Sequence, residues 1–287
     1  MRELVVVAEF LGLTEAHTSG GFLALDRGLA TSARLVVAGP WAPEVVRRYR
    51  GQDLGVTLTL TSAHPILRLS PLTAAPTLAS GDGGLPVAAA DLVEHADAEE
   101  AALELRTQLE RAIWWGISPS HVALLDEGIL RRADLFDVVA SLAEEYGLVL
   151  RLTPSADEAH LGYDAWGIAR DRGIRTIDAA IPVDPATLTD AGALLDLVRS
   201  SAHALPEGIS ELGLPLAIDS PELAAWVASG GAAPAPVRLL EHIERLWGAL
   251  EQRSIHRTSY RDLSRRVDRS PSDGRAPAQG FGTPATP

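Results

Sequence analysis

The chain has 287 residues, of which 46% are hydrophobic, so it is long enough to bury the core of one large domain. It contains no cysteine, which excludes disulfides, thiolate catalysis and zinc-thiolate sites. Its 38 acidic and 25 basic residues give a net charge of -13, which argues against nucleic acid or an anionic membrane as a partner.

The first predicted element is a buried strand that leads into a loop of unusual composition. Residues 4–7 are apolar and mostly β-branched, as in a short strand that is buried on both faces. Glu9 follows where this strand should end, and Phe10, Leu11 and Gly12 come directly after it. In parallel α/β proteins the loops after the strands carry the chemistry, so this stretch is the first candidate for a functional site.

Strands and helices alternate along the rest of the chain. Helices are predicted at residues 14–28, 43–50, 97–115, 133–146, 163–172, 185–202, 221–229 and 237–252. Strands are predicted at residues 31–38, 54–61, 121–125, 148–152, 176–180, 208–214 and 256–259. This alternation predicts an α/β fold in the form of a parallel barrel.

Three further segments have a distinct composition. Residues 62–90 are rich in Pro, Gly and Ser and far longer than an ordinary connection, which predicts a functional lid. The spacing within helix 97–115 predicts these buried residues: Ala101, Leu103, Leu105, Leu109, Ile113 and Trp114. Residues 268–287 have almost no apolar side chains, which predicts a single domain at 1–267 followed by a disordered C-terminal tail.

The beginning of the chain does not have the pattern of a signal peptide. Residues 1–7 carry one Arg before a short apolar run, and Glu9 interrupts that run. No stretch approaches the roughly 18 uninterrupted apolar residues of a membrane span. We therefore expect a cytoplasmic protein.

Several blocks of the sequence match one protein family in the same order. The blocks are VVAEFLGLT, TSARLVVAGP, LGVTLTLTS, PTLASGDGGLP, ELRTQLERAIWWGISPSHVALL, EEYGLVLRL, LPEGISELGLP and TSYRDL. On these blocks the chain resembles the YdjC-like carbohydrate deacetylases, which are metal-dependent hydrolases that remove acetyl groups from N-acetylated sugars. The resemblance implies a distorted TIM-like (β/α) barrel, which agrees with the alternation of strands and helices.

The chain departs from this family at the positions that bind the metal. The family's first motif, N-A-D-D-F-G, has a metal-binding Asp where this chain has Phe10. The metal-binding His of its G-L-H-L-T motif falls on Thr57, and that of its T-H-x-D-S-H motif falls on Leu125. A further His, in the family's H-P-G segment, falls on Leu214. The resemblance therefore implies that the metal ligands are absent and that this chain has no metal cofactor.

The substitutions have a direct chemical consequence. Phe and Leu have no donor atom for a divalent cation, and Thr is a weak neutral donor. Without a cation to activate water, Glu9 could contribute only about 10² to 10⁴ in rate as a general base, far less than amide hydrolysis requires. We therefore predict a deacetylase homologue that has lost its metal site and acts as a binding or regulatory module.

Two alternatives remain open at this point. The chain could be an active deacetylase or related hydrolase, either metal-dependent or with a rebuilt site around Glu9, Asp126 and Glu127. It could also be a structural partner of an active homologue, which would require an exposed apolar patch on the outside of the barrel.

The expected site is a pocket under the predicted lid, largely apolar, at the C-terminal ends of the strands. The family's metal positions provide its lining, namely Phe10, Thr57, Leu125 and Leu214. Glu9, Asp126, Glu127 and Arg151 are its candidate polar groups. For Glu9 an ion pair with an Arg is favoured over catalysis, and Arg151 either binds a sugar or pairs with an acid in the barrel. The expected ligand is a small molecule, sugar-like or apolar, and a homo-oligomer is compatible with the sequence.

Overall fold

One curled parallel sheet organises the protein, as seen in a computed structural model that describes residues 1–62, 64–154, 161–184, 188, 191–231, 235–236 and 243–267. The predicted tail at 268–287 lies outside the described residues, and the predicted helices at 185–202 and 237–252 lie partly outside them. Within the described ranges, no helix has both the length and the apolar character needed to span a membrane.

The strands and helices follow the predicted order. The strands are β1 (Arg2–Leu11), β2 (Ser32–Val36), β3 (Leu54–Leu58), β4 (His121–Leu124), β5 (Val149–Leu150), β6 (Ala179–Ala180), β7 (Gly208–Leu214), β8 (Leu216–Ala217), β9 (Ala235–Pro236) and β10 (Ile255–Arg257). The α-helices are α1 (Glu15–Asp26), α2 (Ala42–Arg48), α3 (Ala89–Val93), α4 (Ala98–Trp114), α5 (Ala133–Glu145), α6 (Ala165–Asp171), α7 (Ala191–Ser201), α8 (Pro221–Ala228), α9 (Ile243–Glu251) and α10 (Tyr260–Val267). A 3-10 helix spans Glu127–Arg131. The elements α3, α10, β8 and β9 were not predicted.

Strand β1 lies at the centre of the sheet and is longer than predicted. The strand order is β5-β4-β3-β2-β1-β7-β6, and β10 pairs with the first residues of β1. The described strand pairs are all parallel. The two ends of this order approach each other, because the Leu150 N–H donates to the carbonyl of Arg175, shortly before β6, at 2.8 Å. The sheet therefore curls into a distorted, barrel-like half-shell with helices around it, which confirms the predicted fold class.

Alternation along β1 separates its two faces. Leu4, Val6 and Ala8 pack into the large core between sheet and helices. Val5 and Val7 belong to a second, smaller core inside the barrel, together with Val149, Ile177, Tyr260 and Leu263. Because side chains alternate with a period of two, Glu9 lies on the same inward face as Val5 and Val7. The strand thus sends a carboxylate into the barrel near its C-terminal end.

Helix α4 buries a partly polar face, which contradicts the expectation drawn from its apolar spacing. Leu103, Ile113 and Trp114 are exposed by 55%, 40% and 83%, so the predicted burial of these three residues is wrong. Glu104 and Gln108 are instead fully buried. The reason is that α4 packs against the long connection after β3, whose backbone needs hydrogen-bond partners that apolar residues cannot supply.

The long connection at residues 62–90 is docked on α4. The Glu104 carboxylate accepts hydrogen bonds from the backbone N–H groups of Leu72 and Thr73, and from the Thr73 hydroxyl at 2.7 Å. Gln108 donates to Glu104 and to the carbonyl of Thr59, each at 2.8 Å. These bonds satisfy buried backbone groups, so the described part of this segment is fastened to the barrel wall and does not form a free flap.

Gly213 generates a testable prediction about the barrel interior. A Cβ atom at this position would lie 2.7 Å from the Glu9 carboxylate oxygen, so Gly213→Ala should push Glu9 away from its partner. We expect the free energy of unfolding to fall by roughly 1–3 kcal/mol. In a Glu9→Ala background the same change should cost much less. Gly248→Ala is the control, because that glycine lies in α9 with no atom within 4 Å of the new Cβ. Equal effects of Gly213→Ala in both backgrounds would contradict the prediction.

Candidate functional site

A cavity of about 510 Å³ opens at the C-terminal ends of the central strands. Its lining comprises Glu9, Phe10, Arg34, Thr57, Thr61, Ser62, Val87, Leu124, Leu125, Asp126, Glu127 and Arg151. Only four of these twelve residues are apolar, so the expectation of a largely apolar pocket is wrong. The cause lies in the inward-facing strand positions, several of which carry charged side chains.

The structure brings together most of the residues that the sequence singled out. Seven of the eight candidates line this cavity, namely Glu9, Phe10, Thr57, Leu125, Asp126, Glu127 and Arg151. The exception is Leu214, which is fully buried at the end of β7, where it pairs with Ala8, and is absent from the cavity lining. From the predicted lid, Ser62 and Val87 contribute to the rim.

Phe10 has an unusual backbone conformation at the end of β1. Its φ angle is +66°, in the left-handed region, and the pairing of β1 with β2 shifts register between Ala8 and Leu11. This conformation costs about 1–2 kcal/mol for an ordinary L-residue and is adopted more readily by Asp or Asn. The Asp found here in the family that the sequence resembles would therefore adopt this backbone conformation more readily than Phe does. The ring of Phe10 packs edge-on against His17, with centroids 6.0 Å apart.

A chain of alternating charges runs along the inner wall of the barrel. Arg34 donates to Glu9 at 2.7 Å and to Glu211 at 3.0 Å. Arg151 donates to the same Glu211 oxygen at 3.1 Å and pairs at its other end with Glu127. The order is therefore Glu9, Arg34, Glu211, Arg151 and Glu127. Arg34 and Glu211 are almost completely buried, with side chains 3% and 1% exposed, whereas the outer carboxylates retain 27% and 29% exposure.

A second layer lies below these charges. The Tyr260 hydroxyl donates to Glu211 at 2.5 Å, and its ring stacks on His121 with the two centroids 3.8 Å apart. The Ser120 hydroxyl and the Nδ1 atom of His121 are hydrogen bonded at 2.9 Å. His121 is therefore a packed histidine with a hydrogen bond at Nδ1. Its ring is accommodated by Gly55, where a Cβ atom would lie 2.4 Å from it.

The charge chain shifts the pKa values of its members in opposite directions. Burial and the nearby Glu211 raise the pKa of Glu9, against the opposing effect of Arg34 and Arg151. Burial also acts to raise the pKa of Glu211, but the two guanidiniums and the Tyr260 hydroxyl bring it to about 2. Burial lowers the pKa of His121 well below its usual value. At neutral pH Glu211 is therefore a permanent anion and His121 is neutral.

The donor set at the cavity does not fit a divalent cation. Both Asp126 oxygens accept backbone hydrogen bonds, from Gly128 at 2.9 Å and from Ala89 at 3.0 Å. One oxygen each of Glu9 and Glu127 is engaged by a guanidinium, and the guanidiniums of Arg34 and Arg151 would repel a cation. Within the described ranges, no group of three or more acidic or histidine side chains is arranged as a metal site.

The polar candidates also resolve into structural roles. Asp126 caps the 3-10 helix. Arg151 pairs with acids of the barrel, which was one of its two interpretations. Glu9 pairs with an Arg, in accord with the favoured interpretation.

Sequence reasoning missed Arg34, Glu211 and Tyr260. A signal was present for the first two, because each is a charged residue inside an otherwise apolar strand, at a position that faces inward. Buried charges are rarely found without a partner, so two of opposite sign should have been considered as a pair. Tyr260 gave no comparable signal.

The comparisons with known proteins agree with this architecture. A sequence model of the family described as YdjC-like protein matches residues 3–229. A carbohydrate deacetylase of Thermus thermophilus is 39% identical over 148 residues, which make up 52% of this chain and 52% of that protein. A carbohydrate deacetylase of Geobacillus stearothermophilus is 27% identical over 244 residues, or 80% of this chain and 94% of that protein. The first of these matches thus spans only about half the length of the relative.

A solved structure supports the fold. A crystal structure from Enterococcus faecalis V583, whose description names cellobiose-phosphate cleavage, superimposes with a TM-score of 0.74 at 24% sequence identity. The match covers 91% of this chain and 98% of that one. At this level of identity the likeness is one of fold.

The buried pair of Arg34 and Glu211 generates a stability prediction. Arg34→Met should leave Glu211 with Arg151 as its one remaining cation and Glu9 without its partner, so we expect a loss of about 3–5 kcal/mol in unfolding free energy. The double variant Arg34→Met/Glu211→Leu should lose less than the sum of the single changes. Arg47→Met, at a side chain 71% exposed, is the control and should leave the urea midpoint nearly unchanged. If Arg34→Met is as stable as the parent, the pair does not hold the barrel interior.

Proposed function

Because the chain belongs to the YdjC-like protein family, we propose that it is a carbohydrate deacetylase homologue that no longer binds a catalytic metal and uses the barrel cavity to bind a small molecule. The observation that carries this proposal is the cavity wall itself. Phe10, Thr57 and Leu125 stand at the positions that match the family's metal ligands. They line one cavity together with two guanidiniums. Metal-assisted hydrolysis needs a cation that polarises a carbonyl and activates water, and this wall offers no suitable place for it.

The remaining volume supports a binding role. A cavity of about 510 Å³ is within the range of small-molecule sites, and its polar groups are held in place by ion pairs and backbone hydrogen bonds. Preorganised polar groups favour recognition, because a ligand then does not have to order them. We infer that this protein keeps the ability to bind a ligand in the barrel cavity and acts as a binding or regulatory module without a cofactor.

The alternative of a rebuilt hydrolytic site has less support. Both oxygens of Asp126 accept backbone hydrogen bonds and one oxygen of Glu127 is paired with Arg151, so both acids already serve structural contacts. Glu9 has a raised pKa, as a general base often does, but the guanidiniums of Arg34 and Arg151, which could polarise a carbonyl, are already paired with carboxylates. A rate enhancement from base assistance alone would be about 10² to 10⁴.

A role as structural partner has one observation in its favour. Helix α4 exposes Leu103, Ile113 and Trp114 on the outside of the barrel. Exposed apolar residues of this size are typical of protein contacts. Trp114→Ala tests this second candidate: if α4 is a contact surface, the substitution should shift the sedimentation coefficient of any oligomer that the parent forms.

Metal content and hydrolysis test the proposed function directly. We expect protein purified without chelator to contain no stoichiometric zinc, nickel or magnesium, and to release no acetate from N-acetylated chito-oligosaccharides. About one tightly held divalent metal per chain, or metal-dependent release of acetate, would refute the proposal.

Reconstruction of the ligands provides a second prediction. The triple variant Phe10→Asp, Thr57→His and Leu125→His should bind a divalent metal measurably, since all three side chains line one cavity. Its metal-free form should be less stable than the parent, because polar groups without partners replace packed side chains. Phe10→Asp alone is the control and should not bind metal. A triple variant that is as stable without metal as the parent would show that these residues do not pack at the mouth.

Ligand binding gives a third prediction. In a thermal-shift screen of small sugars and related molecules, hits should persist with chelator and should disappear in Leu125→Trp, whose larger side chain fills the cavity. Leu103→Trp, on the exposed face of α4, is the matched control and should leave the hits unchanged. Hits that disappear with chelator, or that are indifferent to Leu125→Trp, would contradict binding in this cavity without metal.

A further inference from the structure

A buried histidine fastens the beginning of the long connection after β3 to helix α8. His64 is only 2% exposed. Its Nδ1 atom accepts hydrogen bonds from the backbone N–H groups of Ile66 and Leu67, at 3.0 and 2.9 Å. Its Nε2 atom lies 3.2 Å from the carbonyl oxygen of Trp226 in α8, and its ring packs against the Trp226 indole with centroids 4.3 Å apart. The connection is therefore joined to α8 through this imidazole.

The partners of His64 determine which form of its ring fits. A backbone N–H can only donate, so Nδ1 must present a lone pair and the hydrogen of the neutral ring is on Nε2, where it points at the Trp226 carbonyl. A second proton would bind Nδ1 and turn it into a donor that faces two donors. The Nε2 contact is compatible with both forms, because that nitrogen carries its hydrogen in each. The closed arrangement therefore accommodates the neutral ring and disfavours the protonated one.

The charged groups on the surrounding elements are engaged elsewhere. In the connection itself Arg68 pairs with Asp82 at 3.4 Å, and in α8 the Glu222 carboxylate accepts a backbone N–H of α1 at 3.2 Å. In the described ranges none of these groups forms an ion pair with His64. His17 of α1 contacts the same Trp226 indole, but burial lowers the pKa of His17 to about 4, so this ring stays neutral in mild acid.

Both sides of this fastening reach the cavity wall. On one side, Ser62 lines the cavity and its hydroxyl accepts a hydrogen bond at 2.9 Å from the N–H of Leu69, close after the residues that His64 holds. On the other side, the Trp226 ring contacts His17 edge-on at 5.7 Å, and His17 contacts Phe10 of the cavity lining at 6.0 Å. A change at His64 would therefore be felt at the rim.

We propose that His64 is a pH-sensitive switch of the cavity rim, in which uptake of one proton at Nδ1 releases residues 64–69 from α8 and opens the rim. The consequence for a ligand rests on the proposed function, whereas the opening itself does not. A histidine suits this role because its pKa in water is about 6.5, close to physiological pH. The middle of the connection should stay docked, since Glu104 and Glu100 bind it to α4 through groups that need no proton.

Hydrogen exchange of the full chain, followed by mass spectrometry and corrected for the intrinsic effect of pH, tests the switch without any ligand. Opening takes up one proton, so the ratio of closed to open forms falls by at most about tenfold per pH unit below the ordinary histidine value. Between about pH 7.5 and about pH 5.5 we expect the protection of residues 66–69 to fall roughly tenfold. Residues 72–77 are the internal control and should keep their protection, because Glu104 and Glu100 hold them.

Two variants identify the group that titrates. In His64→Asn the side-chain oxygen can still accept from the backbone N–H two residues further on, but it does not titrate in this range. The fall in protection between the two pH values should therefore disappear in this variant. His95→Asn is the matched control, because His95 is exposed and lies outside the connection, and it should respond to pH as the parent does.

Each outcome decides for or against the switch. Equal protection of residues 66–69 at both pH values would refute it, and so would equal falls in the parent and in His64→Asn. A fall centred near pH 4 would point to His17 or to carboxylates instead. Should His64→Asn fold poorly, the pH at which the parent loses protection, and its confinement to residues 64–69, still decide. Ligand binding is measured separately by thermal shift, so failure of the switch and failure of the proposed function are distinguishable.

Discussion

The guanidinium of Arg34 sits inside the barrel, and the surrounding structure is arranged to keep it there. A buried charge is costly unless it is paired and hydrogen bonded, and Arg34 meets that condition through Glu211 and Glu9. The neighbouring strand β7 contributes both Glu211 and Gly213, and the missing side chain of Gly213 makes room for the Glu9 carboxylate. The pairing of β1 with β7, the glycine at position 213 and the ion pairs of Arg34 therefore act together to offset the desolvation cost of its buried charge.

This arrangement of buried charges determines what the cavity can recognise. Phe10 and Leu125 line the cavity at the strand ends, and its fixed positive charges belong to Arg34 and Arg151. The backbone of Phe10 is left-handed, a conformation that a small polar residue such as Asp or Asn adopts more readily than Phe. In this wall each guanidinium contacts two carboxylates, and the outer carboxylates of Glu9 and Glu127 each contact one guanidinium.

Much of the fold could be predicted from the sequence, because alternation of apolar strands and amphipathic helices is a strong local signal. The helix α1 forms in spite of Gly20 and Gly21, since the absence of a side chain at Gly20 lets the helix approach β8 closely. The family motifs gave Phe10, Thr57 and Leu125 of the cavity lining but not the partners of Glu9, because ion pairs between distant strands depend on register. The order of strands and helices along the sequence does not reveal which inward-facing positions of neighbouring strands meet. Arg34 and Glu211 were therefore visible only as isolated charges.

The buried face of α4, which was predicted wrongly, shows that buried polar groups also need hydrogen-bond partners outside the barrel. Spacing alone favoured burial of Trp114, but the connection after β3 brings backbone N–H groups to this helix, and Glu104 and Glu100 accept them. A buried carboxylate with several donors is favourable where an apolar contact would leave those donors unsatisfied. Ser62, in the same connection, forms part of the cavity rim and is itself bonded to Leu69 and Leu85. The rim and the inner wall are therefore both fixed by polar contacts, so a ligand meets a site whose hydrogen-bonding pattern is set before it arrives.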